Sequence, residues 1–417
     1  MDIEQIAKKI KRNGGNTYLV GGAVRDAILN KSIKDEDYCV TGISPEKFME
    51  LFPEVHIRGK SFQVFDLEHK EFALARKETK IGKGHKEFQV ETDEGITIEE
   101  DLKRRDITIN SIAQDVLTKK IIDPFDGQKD LNDGIIRATS EKFMEDPLRV
   151  YRVARMAAIL NFKVAPNTIK MMNSLKEELS TLSKERVFVE FRKALEADKP
   201  SIFFEVLKEA DVLDVHFKTV YDLIGQIQPI KYHPEGDSYN HTMLTLDNCA
   251  KLTKDTKIKF CALVHDLGKG RTPKEMLPHH YNHEQRGVAP LKELCKILGC
   301  PNEWEKCGKT SVLEHMKGGI FPQMTIAKKV SFIERIDKSQ LGLRGLQIVV
   351  YCDRCRSLDA SKEEIIDKQY DFCTIGKKMI NAINGDYIQE KYGIKPGIEL
   401  GRKLHEERVK WFKNNIK

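Results

Sequence analysis

Strand-like runs stop at residue 137. From Thr17 to Arg137 short β-favouring stretches (TYLV, YCVTG, QVFDL, EFALA and KIIDPF) alternate with turns and short helices, the pattern of a mixed sheet with helices. From Asp146 onward apolar residues recur at three- to four-residue spacing, as in DPLRVYRVARMAAIL, ERVFVEFRKALEA and SIFFEVLKEADVL. The expected class is therefore α+β, a sheet-bearing head followed only by helices. The Pro- and Gly-bearing break QIQPIKYHPEGDSYN precedes another helical block that begins near His241. The expected division is a head over 1–140, a helical neck over 141–228, a second helical catalytic domain over 229–360 and a helical tail over 361–417.

With 417 residues the chain has room for two or three cores. No apolar run approaches the roughly 20 residues that a bilayer span requires, and the opening MDIEQIAKKIKRNGG is charged, without the apolar centre of a secretory signal. The expected compartment is the cytoplasm, with no membrane partner. Nine cysteines, an odd number scattered along the chain, point to reduced thiols. The single C-x-x-C, Cys352 with Cys355, lacks the second pair that a zinc site needs. A net charge of +6 permits a nucleic-acid partner, and charge clusters at 76–86 (RKETKIGKGHK) and 401–417 (GRKLHEERVKWFKNNIK). A solvated surface explains either cluster as well as phosphate contact does.

Two chemical constellations stand out. In the first, TYLVGGAVRDAILN is a strand, two glycines and a helix. Gly21 and Gly22 let backbone N–H groups approach a triphosphate, and the helix start favours negative charge. An ordinary strand-to-helix turn would also use them, and the P-loop pattern is absent. Asp35-Glu36-Asp37 follows and leads into the strand YCV. Residues i and i+2 of a strand share a face, so Asp35 and Asp37 are expected side by side with Glu36 turned away. Adjacent carboxylates want cations. Two Mg²⁺ ions there suit activation of a 3′-hydroxyl and departure of pyrophosphate.

Gly21-Gly22-Ala23-Val24-Arg25-Asp26 followed by Asp35-x-Asp37 resembles the first motif of class II tRNA nucleotidyltransferases, members of the polymerase β-like superfamily. Asp101-Leu-Lys-Arg104-Arg105-Asp106-Ile-Thr-Ile-Asn110 resembles their R-R-D motif, and Asp123-Pro-Phe-Asp126-Gly127 the turn that closes the head. The resemblance implies template-independent addition of C, C and A to tRNA from CTP and ATP. Asp35 and Asp37 would be catalytic and hold Mg²⁺, and Gly21, Gly22, Arg25, Arg105 and Asp106 would hold the nucleotide. It also implies that the basic loop 76–86 helps the pocket switch from cytidine to adenosine.

Cytosine and adenine each present an exocyclic amine donor beside a ring-nitrogen acceptor, whereas uracil and guanine present the opposite pair. An aspartate accepting from the amine and an arginine donating to the ring nitrogen would admit C and A alone. Glu145-Asp146-Pro147-Leu148-Arg149 resembles the family's base-reading motif, which implies that Asp146 and Arg149 read the base and Arg152 helps hold the nucleotide. Helix capping alone would account for Asp146, and a charged surface stripe for Arg149, Arg152 and Arg155. Glu185-Arg186-Val187-Phe188-x-Glu190 resembles the family's neck helix, with a structural role.

The second constellation is His241, His265-Asp266 and Asp353. His-Asp inside the apolar run FCALVHDLGKG places ionisable groups where they need a partner, and a divalent metal supplies one. Imidazole and carboxylate ligands suit Mg²⁺, Mn²⁺, Ni²⁺ or Co²⁺ and the activation of water on a phosphoester. The block resembles the His-Asp phosphohydrolase superfamily, and more closely the appended domain of multifunctional bacterial CCA-adding proteins, where histidines such as His279, His280, His283 and His315 also occur. That implies phosphatase, 2′,3′-cyclic phosphodiesterase and 2′-nucleotidase activity. Met316 departs from the pattern by standing where an acidic residue is expected. Two alternatives stay open: a poly(A) polymerase, against which the His-Asp cluster counts, and a phosphohydrolase or RNA-binding protein with an inactive head, against which the aspartate pair counts. Oligomeric state is left as monomer or homodimer.

Overall fold

The computed structural model describes residues 1–33, 35–59, 63–80, 88–91, 94–231, 233–354 and 371–416. Its strands are β1 (Asn16–Val20), β2 (Asp37–Thr41), β3 (His56–Arg58), β4 (Val64–Leu67), β5 (Lys70–Leu74), β6 (Lys77–Lys80), β7 (Phe88–Glu91), β8 (Ala113–Asp115), β9 (Ile121–Ile122), β10 (Ile135–Ile136) and β11 (Lys163–Val164). Seven form a mixed sheet in the order β3-β4-β5-β2-β1-β8-β9. Only β2 and β5 run parallel in it. The remaining strands make two two-stranded ladders, β6 with β7 and β10 with β11.

Alternation along β2 sets the two faces of this sheet. Tyr38 and Val40 pack with Phe48, Phe65, Phe72 and Ile6 on one side. Cys39 packs with Tyr18, Val20, Ile98 and Leu102 on the other. Phe48, Phe65 and Phe72 are essentially inaccessible to solvent, each contributing about 1.5–3 kcal/mol by burial. Asp37 is two residues before Cys39, so it projects toward the second face, beside helix Ile98–Lys103.

The chain resolves into two compact units, one comprising Met1–Val187 and Ile202–Val212, the other Phe188–Ser201 and Leu213–Lys417. In the first, helix Arg149–Leu160 ends at Asn161, whose left-handed φ of 56° turns the chain into β11. The three-residue β8 beside β1 and the two-residue β11 after Asp146 were not foreseen, because segments so short carry no periodicity. The turn Asp123–Gly127 closes on itself: Asp123 accepts from the amides of Gly127 at 2.7 Å and Gln128 at 2.8 Å.

The second unit is helical. Helices Ile326–Asp337, Gly342–Arg354, Phe372–Ala382 and Ile398–Asn415 share one core, which contains Ile333, Val349, Phe372, Met379 and Phe412. The last helix, read as a source of cations for phosphate, spends several of them internally. Lys410 pairs with Glu407 at 2.8 Å and Arg408 with Glu334 at 3.0 Å. All described cysteines are free, and no helix among the described residues is long and apolar enough to cross a membrane. Cys355 and residues 81–86 of the basic stretch lie outside the described residues.

Candidate active sites

The head site is set by strand register. β1 and β2 are antiparallel with Val20 opposite Asp37, so the Gly21-Gly22 turn and the aspartate emerge at the same end of the sheet. Gly21 has φ 68° and ψ −129°, a conformation that a side chain strains, and a Cβ there would meet Arg105 Nη1 at 3.1 Å. β2 begins at Asp37, so Asp35 stands in the coil before the strand and not on it. The shared-face expectation for the pair is corrected to that extent: Asp35 meets Asp37 from a connecting segment, whose course is set by the fold and not by strand geometry. Asp37 is held above the ordinary aspartate range, first by desolvation and also by the charge of Asp35, with Arg105 opposing both. Glu36 does turn away, accepting from Tyr38 Oη at 2.8 Å and Lys70 Nζ at 3.0 Å.

Around this end the arginines are clamped. Buried Asp101 accepts from Arg104 Nε at 3.0 Å and from Arg105 Nη2 at 3.2 Å. Burial alone would raise its pKa, but the two guanidiniums outweigh that and hold the carboxyl below the usual range. Sequence reasoning missed Asp101 as the organiser of the two arginines, although the i, i+3 and i, i+4 spacing was there to read. Arg25 donates from Nε to Asp26 at 2.8 Å and from Nη1 to Asn110 Oδ1 at 2.7 Å, fastening helix Gly22–Ile28 to the turn Thr108–Asn110.

Asp106, expected among the nucleotide contacts, is 5% exposed and its carboxylate is directed inward. It accepts from the amide of Ile107 at 2.9 Å and pairs with Arg152 Nε at 2.8 Å. The cationic neighbours, Arg152 and then Arg149, overcome its burial and hold the carboxyl low. Arg149, expected to read the base with a charged surface stripe as the alternative, is buried and donates to the carbonyls of Lys142 at 2.7 Å and Arg104 at 2.6 Å. A surface stripe does not describe Arg149, because its guanidinium is held by carbonyls of the turn 141–145 and of the residue after helix Ile98–Lys103. Asp146 accepts from the amide of Leu148 at 3.0 Å but is not the helix N-cap that was expected: the helix starts at Arg149 and Leu148 holds the cap position, with no side-chain cap. The second Asp146 oxygen accepts from Arg186 Nη2 at 3.0 Å. Arg186 belongs to the segment read as merely structural, and nothing in its local spacing points to Asp146.

The second site gathers residues far apart in the chain. Helix Ser238–Leu252 supplies His241, the end of helix Thr256–Val264 supplies His265 and Asp266, and the last turn of helix Gly342–Arg354 supplies Asp353. His241 Nε2 is 2.9 Å from Asp353 Oδ1, and His265 Nε2 is 3.1 Å from Asp266 Oδ2 and 3.6 Å from Asp353 Oδ1. Ligand atoms of all four lie within 4.8 Å of one another. Every expected ligand of this site is thus brought together. His265 Nδ1 donates to Ala262 O at 2.7 Å, which aims Nε2 into the cluster. Burial would lower His265, but Asp266 and Asp353 push it up to about 10. His265 Nε2 and both Asp266 oxygens are buried without an aligned hydrogen bond, which fits a site built for a divalent ion.

Glu235, which sequence reasoning did not single out, accepts from His241 Nδ1 at 2.7 Å and contacts His233 Nδ1 at 3.0 Å. Lys269 Nζ reaches Asp266 Oδ2 and Gln228 Oε1, each at 2.6 Å. These groups line a cavity of about 600 Å³, with exposed Met316 at its wall. His280 has a different part. Its Nε2 donates to Ile227 O at 3.1 Å and its Nδ1 accepts from Thr272 at 2.7 Å, and burial depresses its pKa to about 4, so it is a neutral brace.

A sheet-bearing head with a carboxylate beside a glycine turn, followed in the chain by a helical His-Asp cluster, is the arrangement of a nucleotidyltransferase with an HD domain. Family models agree: the Poly A polymerase head domain matches residues 17–137, the "Probable RNA and SrmB- binding site of polymerase A" residues 161–223, and the HD domain residues 238–340. The multifunctional CCA protein of Shewanella denitrificans is 46% identical over 295 residues, 69% of this chain and 70% of that protein. The chain belongs to the multifunctional CCA protein family, CCA-adding tRNA nucleotidyltransferases with an HD domain. The fold is shared by a CCA-adding enzyme in complex with CTP (TM-score 0.66, 19% identity, covering 100% of this chain and 93% of that one). It is shared equally by the Thermotoga maritima CCA-adding enzyme complexed with tRNA (TM-score 0.65, 18% identity, 100% and 93%).

Proposed function

We propose that the chain adds C, C and A to the 3′ end of tRNA from CTP and ATP, with Asp35 and Asp37 as the catalytic carboxylates. The observation that carries this is the register of Val20 against Asp37, which puts a carboxylate at the mouth of the Gly21-Gly22 turn. Mg²⁺ bound by the two aspartates would supply the charge that activates the 3′-hydroxyl and neutralises the leaving pyrophosphate. Gly22 offers its backbone amide to the triphosphate, Gly21, whose own amide donates to Ile112 O at 3.4 Å, makes the turn that allows the close approach, and Arg25 and Arg105 stand beside them. Relatives of this fold have been solved with ATP, CTP or tRNA.

Base choice falls to Asp146 and Arg149. A carboxylate has about four lone-pair sites and a guanidinium five N–H donors, so each can serve its present partners and still meet a base edge. Arg152 and Asp106 act as a pair that holds this surface against the head. Sequencing the products of tRNA lacking its CCA, incubated with each nucleotide alone and in mixtures, tests the proposal. Runs of A without C would favour a poly(A) polymerase instead.

In the second unit, His241, His265, Asp266 and Asp353 would hold Ni²⁺, Co²⁺, Mn²⁺ or Mg²⁺ for phosphatase, 2′,3′-cyclic phosphodiesterase and 2′-nucleotidase activity. The four-part division at 140, 228 and 360, a cytoplasmic location and a monomer or homodimer complete the proposal.

A further inference from the structure

We propose that Tyr281, laid on His279, is a base-stacking platform in the wall of the His-Asp cavity, so that this site selects phosphoesters carrying a nucleobase. The inference rests on the metallohydrolase function proposed above and gives a specificity role to a residue outside its ligand set.

Tyr281 lines the same cavity as His241, Asp266 and Asp353, and all four belong to the second compact unit. Its ring is a large apolar surface left wet: the residue is 63% exposed, which forgoes the stabilisation that burying it would bring. One contact orients it. The rings of Tyr281 and His279 have centroids 5.5 Å apart and planes 22° from parallel, an offset stack. With one face on His279, the other face is open to the cavity side and to solvent. A flat, open aromatic face on the wall of a phosphoester site is a surface for a second planar ring.

The turn that carries the ring is pinned on both sides. His280 is buried, with its two ring nitrogens engaged by Thr272 and by Ile227 O. His283 is buried as well, and its Nδ1 donates to His280 O at 2.9 Å. Tyr281 and Asn282 form the turn between these anchors, with Asn282 in the left-handed region at φ 57°. Because the backbone is already fixed, little ordering entropy is lost when a ligand stacks on the ring.

The cavity, about 600 Å³, falls in the range of roughly 300–1,000 Å³ of sites that enclose a small organic ligand, far more room than a phosphate group fills. Its lining divides by chemistry. The carboxylates and imidazoles, with Lys269 Nζ 2.6 Å from Asp266, suit the phosphate and its metal. Tyr281, Pro278 and the exposed thioether of Met316 supply apolar, polarisable surface. Stacking on an aromatic ring is open to every base, since each has a π-face. The platform therefore favours nucleoside phosphates over phosphates of simple alcohols and discriminates little among bases.

The test compares adenosine 2′-phosphate with glycerol 2-phosphate, both esters of secondary alcohols, hydrolysed by the full-length protein with Ni²⁺, Co²⁺, Mn²⁺ or Mg²⁺. Tyr281→Ala is expected to lower kcat/KM for adenosine 2′-phosphate by roughly tenfold or more, mainly through KM, and to leave glycerol 2-phosphate within about twofold. Tyr281→Phe should keep the preference, because the ring and not the hydroxyl makes the stack. A second readout needs no catalysis: the emission that Tyr281→Trp adds to that of Trp304 and Trp411 should be quenched by adenosine 2′-phosphate and not by glycerol 2-phosphate. Equal loss on both substrates in Tyr281→Ala, or no loss on either, overturns the platform. Should the unmutated protein hydrolyse neither ester with any of the metals, the metallohydrolase proposal falls and the quenching decides the platform alone: selective quenching upholds it, and none overturns it.

Discussion

Arg186 donates to Asp146 at 3.0 Å across 40 residues of chain, tying the start of the helix at Lys184 to the carboxylate proposed to read the incoming base. The same carboxylate accepts from the Leu148 amide through its other oxygen, so it is fixed from two directions. A partly buried charge-assisted hydrogen bond contributes about 1.5–3 kcal/mol. Arg186→Ala is expected to lower kcat/KM for nucleotide addition by roughly tenfold or more and to raise incorporation of U and G. Arg186→Lys should recover part of the fidelity. Product sequencing from mixed nucleotides reads both, and unchanged fidelity in Arg186→Ala would mean that the Leu148 amide alone holds Asp146.

Asp37→Asn should remove nucleotide addition by on the order of 10²–10³-fold or more, with tRNA affinity within about twofold, because affinity comes from distributed phosphate contacts. Asp35→Asn should do the same. Single-turnover addition and filter binding at ordinary Mg²⁺ check this, and wild-type rates in either variant would sink the catalytic assignment.

Asp101→Asn should destabilise the head by about 3 kcal/mol, the cost of breaking a buried ion pair. The carboxyl is held low in the fold, so its contribution is complete above the unfolded value of about 3.9 and is lost as pH falls from there toward the folded value. Urea unfolding of the two proteins between pH 7 and pH 3 should therefore show a constant gap that narrows only below about pH 4. A gap that stays constant to pH 3 would contradict the electrostatic origin.

His265→Ala and Asp266→Ala should each abolish hydrolysis of phosphomonoesters and 2′,3′-cyclic phosphates measured with Ni²⁺, Co²⁺ or Mn²⁺. CCA addition should persist within about threefold, since the aspartates of the head belong to a different compact unit. An unmutated protein inert with every metal would make the second unit structural, and activity surviving in both variants would mean that the ligands are misassigned.

Gly268→Ala forces a methyl group onto the His283 carbonyl. It should cost about 1–3 kcal/mol or more of stability in the helical unit and lower hydrolase activity more than nucleotide addition. Calorimetry with both assays decides it, and an unchanged melting profile would show that the turn relaxes freely.

The division into a sheet-bearing head and helical remainder was legible in the sequence because periods of 2 and 3.6 are local properties of the chain. The proposed ligands were legible in part: His265 and Asp266 stand inside an apolar run, where ionisable residues need a partner, whereas His241 and Asp353 were joined to them by the His-Asp family resemblance. What those side chains face was decided by tertiary structure. The coil that delivers Asp35, the inward turn of Asp106 onto Arg152, the burial of Arg149 under two carbonyls and the clasp of Arg186 on Asp146 depend on segments separated by tens of residues. The same holds for Asp266 between two sets of histidines. Direction in space comes from how helices and strands pack, and no spacing within one element encodes it.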